Sequence, residues 1–208
     1  PATALDRLEQ RMASARTVRM RARLATSGRI ESHFEGTLLA ASGGRVRLAM
    51  QGALGGKDVD VLFTCDGKHM RGGSPGHTFD FDAPPALREG LAVAFTRMGL
   101  THQLARLSGG KPPEYLDGSA RDHLAIVGAT HAPGDALKGA PTEQWTWALF
   151  VDHARAADET LWLDDRTGAP VRRRVVVHFP EGDMSVGEEY DEVVFDQPVP
   201  DDSFAIVP

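Results

Sequence analysis

Thr17-Val18-Arg19-Met20-Arg21-Ala22-Arg23-Leu24 is the stretch that decides the fold. Val18, Met20, Ala22 and Leu24 alternate with Arg19, Arg21 and Arg23, so an extended chain sends its apolar side chains one way and its guanidinium groups the other. That is one strand of a sheet with a single buried face, and Ser27-Gly28 turns the chain back. The period of two returns three times. It runs through residues 30–41 to Ser42-Gly43-Gly44, through Val46, Leu48 and Met50 to the Gly-rich run 52–56, and through Val59, Val61, Phe63 and Cys65 to Asp66-Gly67. Links this short join antiparallel neighbours, which predicts a four-stranded meander.

Upstream, Leu5, Leu8 and Met12 recur at three and four, with Thr3 or Asp6 placed to cap, and read as a short amphipathic helix. Downstream, Pro84-Pro85 ends the β pattern. Leu87, Leu91, Ala94, Phe95 and Met98 then share a helical face, Gly99 breaks it, and Leu100, Leu104 and Leu107 continue on a shifted face to Ser108-Gly109-Gly110. After Lys111-Pro112-Pro113, a second β half is predicted over about 123–130, 145–151, 160–163, 171–179 and 186–195. An antiparallel sheet of this size must close, stack or be covered. The one-sided helical segment fits a lid over the concave face, and equally fits the packing of a solid core. The fold class is therefore α+β: a strongly curved, unclosed antiparallel half-barrel of about nine to eleven strands, with an N-terminal helix and a helical lid inserted mid-chain.

At 208 residues, with 41% hydrophobic and 25% charged, the chain has the composition of one globular domain spanning 1–208. No apolar run approaches the roughly 20 residues of a transmembrane helix. A net charge of −6 argues against a general phosphate-backbone binder, so nucleic acid is not an expected partner. One cysteine, Cys65, excludes a disulfide framework and a thiolate zinc site within the monomer. The chain opens at Pro1 with neither a charged nor an apolar leader region, as expected of a mature form whose targeting segment is already removed.

Near the C-terminus stand Leu161-Trp162-Leu163-Asp164, the turn Thr167-Gly168-Ala169-Pro170, Val171-Arg172-Arg173, Tyr190-Asp191, Val194-Phe195-Asp196 and Pro200-Asp201-Asp202-Ser203-Phe204. Near the start stand Gly36-Thr37-Leu38-Leu39, Arg45-Val46-Arg47-Leu48 and Cys65-Asp66-Gly67-Lys68. In element order and in these short motifs the chain resembles the periplasmic lipoprotein carrier superfamily (LolA/LolB-like), including its uncharacterised periplasmic members and the mycobacterial lipid-carrier lipoproteins. The resemblance implies a half-barrel with a lid over an apolar cavity, and periplasmic residence after signal cleavage, and it allows lipid anchoring in the precursor. It also implies a non-enzymatic role in binding or carrying lipid or lipoprotein acyl chains, with no cofactor and as a monomer. The alternative within the same fold is an envelope interaction or sensor module that binds a partner polypeptide, as envelope-stress regulators similar to the superfamily do. In the classical carriers an arginine of the third strand hydrogen-bonds the lid, and Arg47 stands at the matching position. Its flanks, Gly44-Arg45-Val46 and Leu48, depart from the family's proline and aromatics. Alternation also sets Arg47 opposite Val46, Leu48 and Met50, so Arg47 is expected on the convex face and the lid is expected to be held by apolar contacts alone.

The expected cavity lining is Val18, Met20, Leu24, Val46, Leu48, Met50, Val61 and Phe63 from the sheet, with Leu91, Phe95 and Met98 opposite; an ordinary filled core is the competing account. Gly72-Gly73-Ser74-Pro75-Gly76 matches a nucleophile-elbow pattern, but Pro75 lacks the N–H that the oxyanion hole needs. The segment therefore reads as a loop. Eight histidines are scattered without metal-ligand spacing. Asp164-Asp165 and Asp201-Asp202 read as solvated turn carboxylates, and Cys65 as a small buried hydrophobe. Arg19, Arg21 and Arg23, and the run 172–174, read as solvated faces, or else as a docking surface for an acidic partner or anionic head groups. No catalytic or metal residue is assigned.

Overall fold

The computed structural model describes residues 3–206. Helix α1 (Ala4–Ser14) precedes six strands: β1 (Thr17–Gly28), β2 (Ser32–Ala41), β3 (Arg45–Leu54), β4 (Lys57–Asp66), β5 (His69–Ser74) and β6 (His77–Asp82). Helices α2 (Leu87–Met98), α3 (Thr101–Ser108) and the single-turn α4 (Ala120–His123) follow. Five strands then complete the chain: β7 (Leu124–Leu137), β8 (Ala140–Val151), β9 (Ala154–Asp164), β10 (Pro170–Val177) and β11 (Met184–Phe195). All eleven strands form one antiparallel sheet in the order β6-β5-β4-β3-β2-β1-β11-β10-β9-β8-β7. Two meanders are thus welded where the first strand meets the last, with Ala22 opposite Tyr190 and Leu24 opposite Glu188. Edges β6 and β7 stay unpaired with one another, and the helical segment crosses between them, so the half-barrel is unclosed.

Strand alternation builds the core. Val18, Met20, Ala22 and Leu24 are buried while their arginine neighbours face outward. In register beside them lie Phe34 and Ala40 of β2, Val46, Leu48 and Met50 of β3, and Val61, Phe63 and Cys65 of β4. On the outer face the basic row meets acids of β11: Arg19 bonds Glu192 at 2.7 Å and Arg23 grips Asp191 through two bonds of 2.8 and 2.9 Å. Arg172 and Arg174 both reach Glu189.

Two expectations need correction. The first β half has six strands rather than four, because Gly72, Gly73 and Ser74 belong to β5 and not to a loop. Pro75-Gly76 alone makes the hairpin turn, with Gly76 at φ +84°. Ser74 is buried, and its hydroxyl donates to the Ser108 carbonyl at the end of α3. Among the second-half strands, β7, β8 and β9 extend well beyond the predicted bounds, and in β7 bulges at Val127/Thr130 and Gly134/Leu137 absorb the break in periodicity.

Thr3 and Asp6 together form a capping box, each side chain bonding the other's backbone N–H. These bonds hold the Asp6 carboxyl below its usual range. Thr3→Ala should cost about 1 kcal/mol, read as a drop in Tm of roughly 2–4 °C.

Candidate functional site

Helices α2 and α3 lie on the concave face and enclose a cleft lined by Met12, Leu38, Ala40, Val46, Leu48, Phe63, Leu91, Phe95, Leu100 and Leu107, with Arg88 and Gln103 among the few polar side chains on its wall. Its volume is about 50 Å³. The expected lining divides accordingly. Val46, Leu48, Phe63, Leu91 and Phe95 meet at the cleft, whereas Val18, Met20, Leu24, Met50 and Val61 are packed in the core around it, with Met98 half-buried against that core.

The helices are tied down by a buried polar latch, which overturns the expectation of a purely apolar lid contact. Arg173 of β10 is wholly buried. Its Nη2 donates to the Phe95 and Thr96 carbonyls of α2, each at 2.9 Å, and its Nη1 to Glu159 Oε2 of β9 at 2.6 Å. The guanidinium also sits 5.7 Å from the Trp147 ring centre. Directly across the strand pair from Arg173 is Glu188 of β11. Glu188 Oε1 accepts from the Leu100 and Thr101 N–H groups and the Thr101 hydroxyl at 2.8–2.9 Å, while Oε2 accepts from Tyr190. A cation thus caps the C-terminal turn of α2 and an anion caps the N-terminus of α3, each matching the end of the helix dipole it meets. Gly99 makes this junction feasible. Its φ is +79°, and a Cβ there would stand 2.6 Å from both Glu188 oxygens.

Two carboxylates share one guanidinium in this buried cluster. Burial pushes Glu159 up to about 7 in spite of the Arg173 charge, with Glu188 adding to the rise. Burial, and then the Glu188 charge, lift Tyr190 well above its usual range, so it stays a donor. Burial opposes the charge on Arg173, but the Glu159 and Glu188 carboxylates outweigh it.

Arg47 lies on the convex face, half-buried, beside Asp60, Leu62, Thr64 and Arg71, as alternation requires. The lid-binding arginine therefore comes from β10, on the other half of the sheet. The run 172–174 is correspondingly not a solvated face throughout. A second set of bonds holds α2 from the opposite side: Arg88 donates to the Met12 and Ala15 carbonyls at the end of α1, and Arg97 to Glu9 at 3.1 Å and to the Leu124 carbonyl.

Other chemistry-bearing residues are occupied structurally. His69, His102, His123, His131 and His178 each contact a carboxylate. Hydrogen bonds to the neighbouring acids raise His123 and His178. Among the described residues no group of three or more His, Cys, Asp or Glu is arranged to hold a metal ion. Cys65 is fully buried, and burial pushes its thiol up.

No family model and no curated protein sequence matches the chain. Solved structures do. A MucA/MucB complex of Pseudomonas aeruginosa matches with TM-score 0.46 and 15% identity, over 98% of this chain and 60% of that one. The chain thus spans three fifths of the chain it matches there. A putative outer membrane lipoprotein-sorting protein domain from Vibrio parahaemolyticus matches at 0.35 and 8%, over 97% and 94% of the two chains. A LolA superfamily protein from Nitrosomonas europaea matches at 0.36 and 9%, over 98% and 96%.

Proposed function

We propose that this chain is a non-enzymatic binding or carrier protein of the periplasm, which shelters lipid or lipoprotein acyl chains between the concave sheet and the α2–α3 lid. The observation that carries this reading is the combination of an almost wholly apolar cleft with a discrete polar latch on the lid above it. A volume of about 50 Å³ is far below the roughly 300–1,000 Å³ of ligand pockets. Loading therefore requires the lid to lift, which breaks the latch at the α2–α3 junction and the Arg88 and Arg97 bonds on the opposite side of α2. A 16-carbon chain gains on the order of 12 kcal/mol gross on burial, enough to offset the breaking of several net hydrogen bonds at about 1 kcal/mol each.

Titration with a fluorescent fatty acid, alongside mass spectrometry of organic extracts of the purified protein, tests this directly. Saturable binding with a co-purified lipid is expected. No lipid and no saturable binding would sink the reading. The second reading, an envelope module that captures a polypeptide, draws on the open edge of β7, a 14-residue strand with Val127 exposed. A stoichiometric partner recovered while the lipid assays stay blank would favour it.

A further inference from the structure

The cleft wall carries two donors that its apolar character does not explain. Gln103 of α3 is only 5% exposed. Its Oε1 accepts from the Glu114 N–H at 3.1 Å, yet its Nε2 is buried without any partner. A buried amide donor left unpaired costs about 1–3 kcal/mol, and such a group in a native structure calls for an acceptor. On the same wall stands Arg88 of α2. Its Nε and Nη2 serve the Met12 and Ala15 carbonyls, its Nη1 makes none of these bonds, and among the described residues it forms no ion pair with a carboxylate. Burial pulls its pKa down against only the weak field of Asp196. An apolar cleft with an orphaned amide donor and an uncompensated guanidinium, and no acid lining it, is complementary to a chain that ends in an anionic acceptor.

We infer that the ligand of this cleft is an amphiphile with a free carboxylate head, of the long-chain fatty acid class, whose head is received by Gln103 Nε2 and Arg88 while its chain lies against Leu38, Leu48 and Phe63. The inference rests on the acyl-chain reading above and adds to it the chemistry of the head. Arg88 also fastens α1, so Gln103 is the position to test. Gln103→Glu keeps the acceptor for the Glu114 N–H and replaces the free donor by a charge that repels a carboxylate.

The experiment is a fluorescence titration of the intact protein at pH 8 with cis-parinaric acid and with its methyl ester. Wild type should bind the acid about tenfold more tightly than the ester, the worth of one charge-assisted bond. In Gln103→Glu the preference should vanish or reverse, with ester affinity changed less than threefold. Equal affinity of wild type for acid and ester overturns the assignment of the head while leaving the acyl-chain reading intact. Binding of neither probe overturns both. Should Gln103→Glu fail to fold, judged by circular dichroism, the wild-type ratio alone decides.

Discussion

Arg173→Met should cost about 3–5 kcal/mol of folding stability near neutral pH, because truncating one member of a buried ionic cluster leaves its partners desolvated and unpaired. Here the groups abandoned are Glu159 Oε2 and the Phe95 and Thr96 carbonyls. Glu188 keeps its bonds from Leu100, Thr101 and Tyr190 and is less exposed to the loss. Urea denaturation measures the total, and hydrogen exchange localises it, with protection lost first at the C-terminal turn of α2. Arg47→Leu is the matched comparison. Half-buried on the convex face, it should stay within about 0.5 kcal/mol of wild type and leave lid protection unchanged. A loss of lid protection in Arg47→Leu, or its retention in Arg173→Met, would overturn the assignment of the latch.

Glu159 supplies the second large effect, and its sign follows from the direction of its shift. Its carboxyl is lifted from 4.5 to about 7 in the folded chain, so the stabilising form is the protonated one. Below about pH 4.5 both folded and unfolded states hold that proton. Between about 4.5 and 7 the unfolded chain releases it while the folded chain retains it, so stability from this group falls as pH rises, by about 3 kcal/mol in all. Glu159→Gln mimics the neutral form and removes the dependence. Its stability relative to wild type should therefore rise by about 3 kcal/mol from pH 4.5 to pH 8, read from denaturation midpoints at both. A difference that stays flat with pH would show that Glu159 does not titrate in this range.

The strands were legible wherever apolar and charged residues alternate without interruption, as in β1, β3 and β4. The β5–β6 hairpin was not, since Gly72 and Gly73 leave two successive positions without a side chain to carry the period. The cleft was legible as a set of apolar residues but not as a partition of them. Whether Val46 lines the cleft while Met20 fills the core depends on where α2 and α3 cross the sheet, and nothing local to either residue encodes that.

The sequence by itself determined β1, β3 and β4, the inserted helices and the side on which Arg47 lies, because a period of two assigns each residue to a face without reference to any other strand. The same rule applies to the residues that matter most. Arg173 falls in phase with Val175 and Val177, Glu188 with Val186 and Tyr190, and Glu159 with Ala157 and Leu161, so all three occupy inward positions of their strands. Read as part of a three-arginine run, Arg173 looks solvated; read by phase, it is a buried cation that must find partners. Which partners it finds was decided by the tertiary structure alone. The register of β9, β10 and β11 sets Glu159 and Glu188 on either side of Arg173, and the packing of the lid brings two helix ends of opposite dipole onto that cluster. Those distances belong to residues far apart in the chain, and only the packing of the lid on the sheet holds them together.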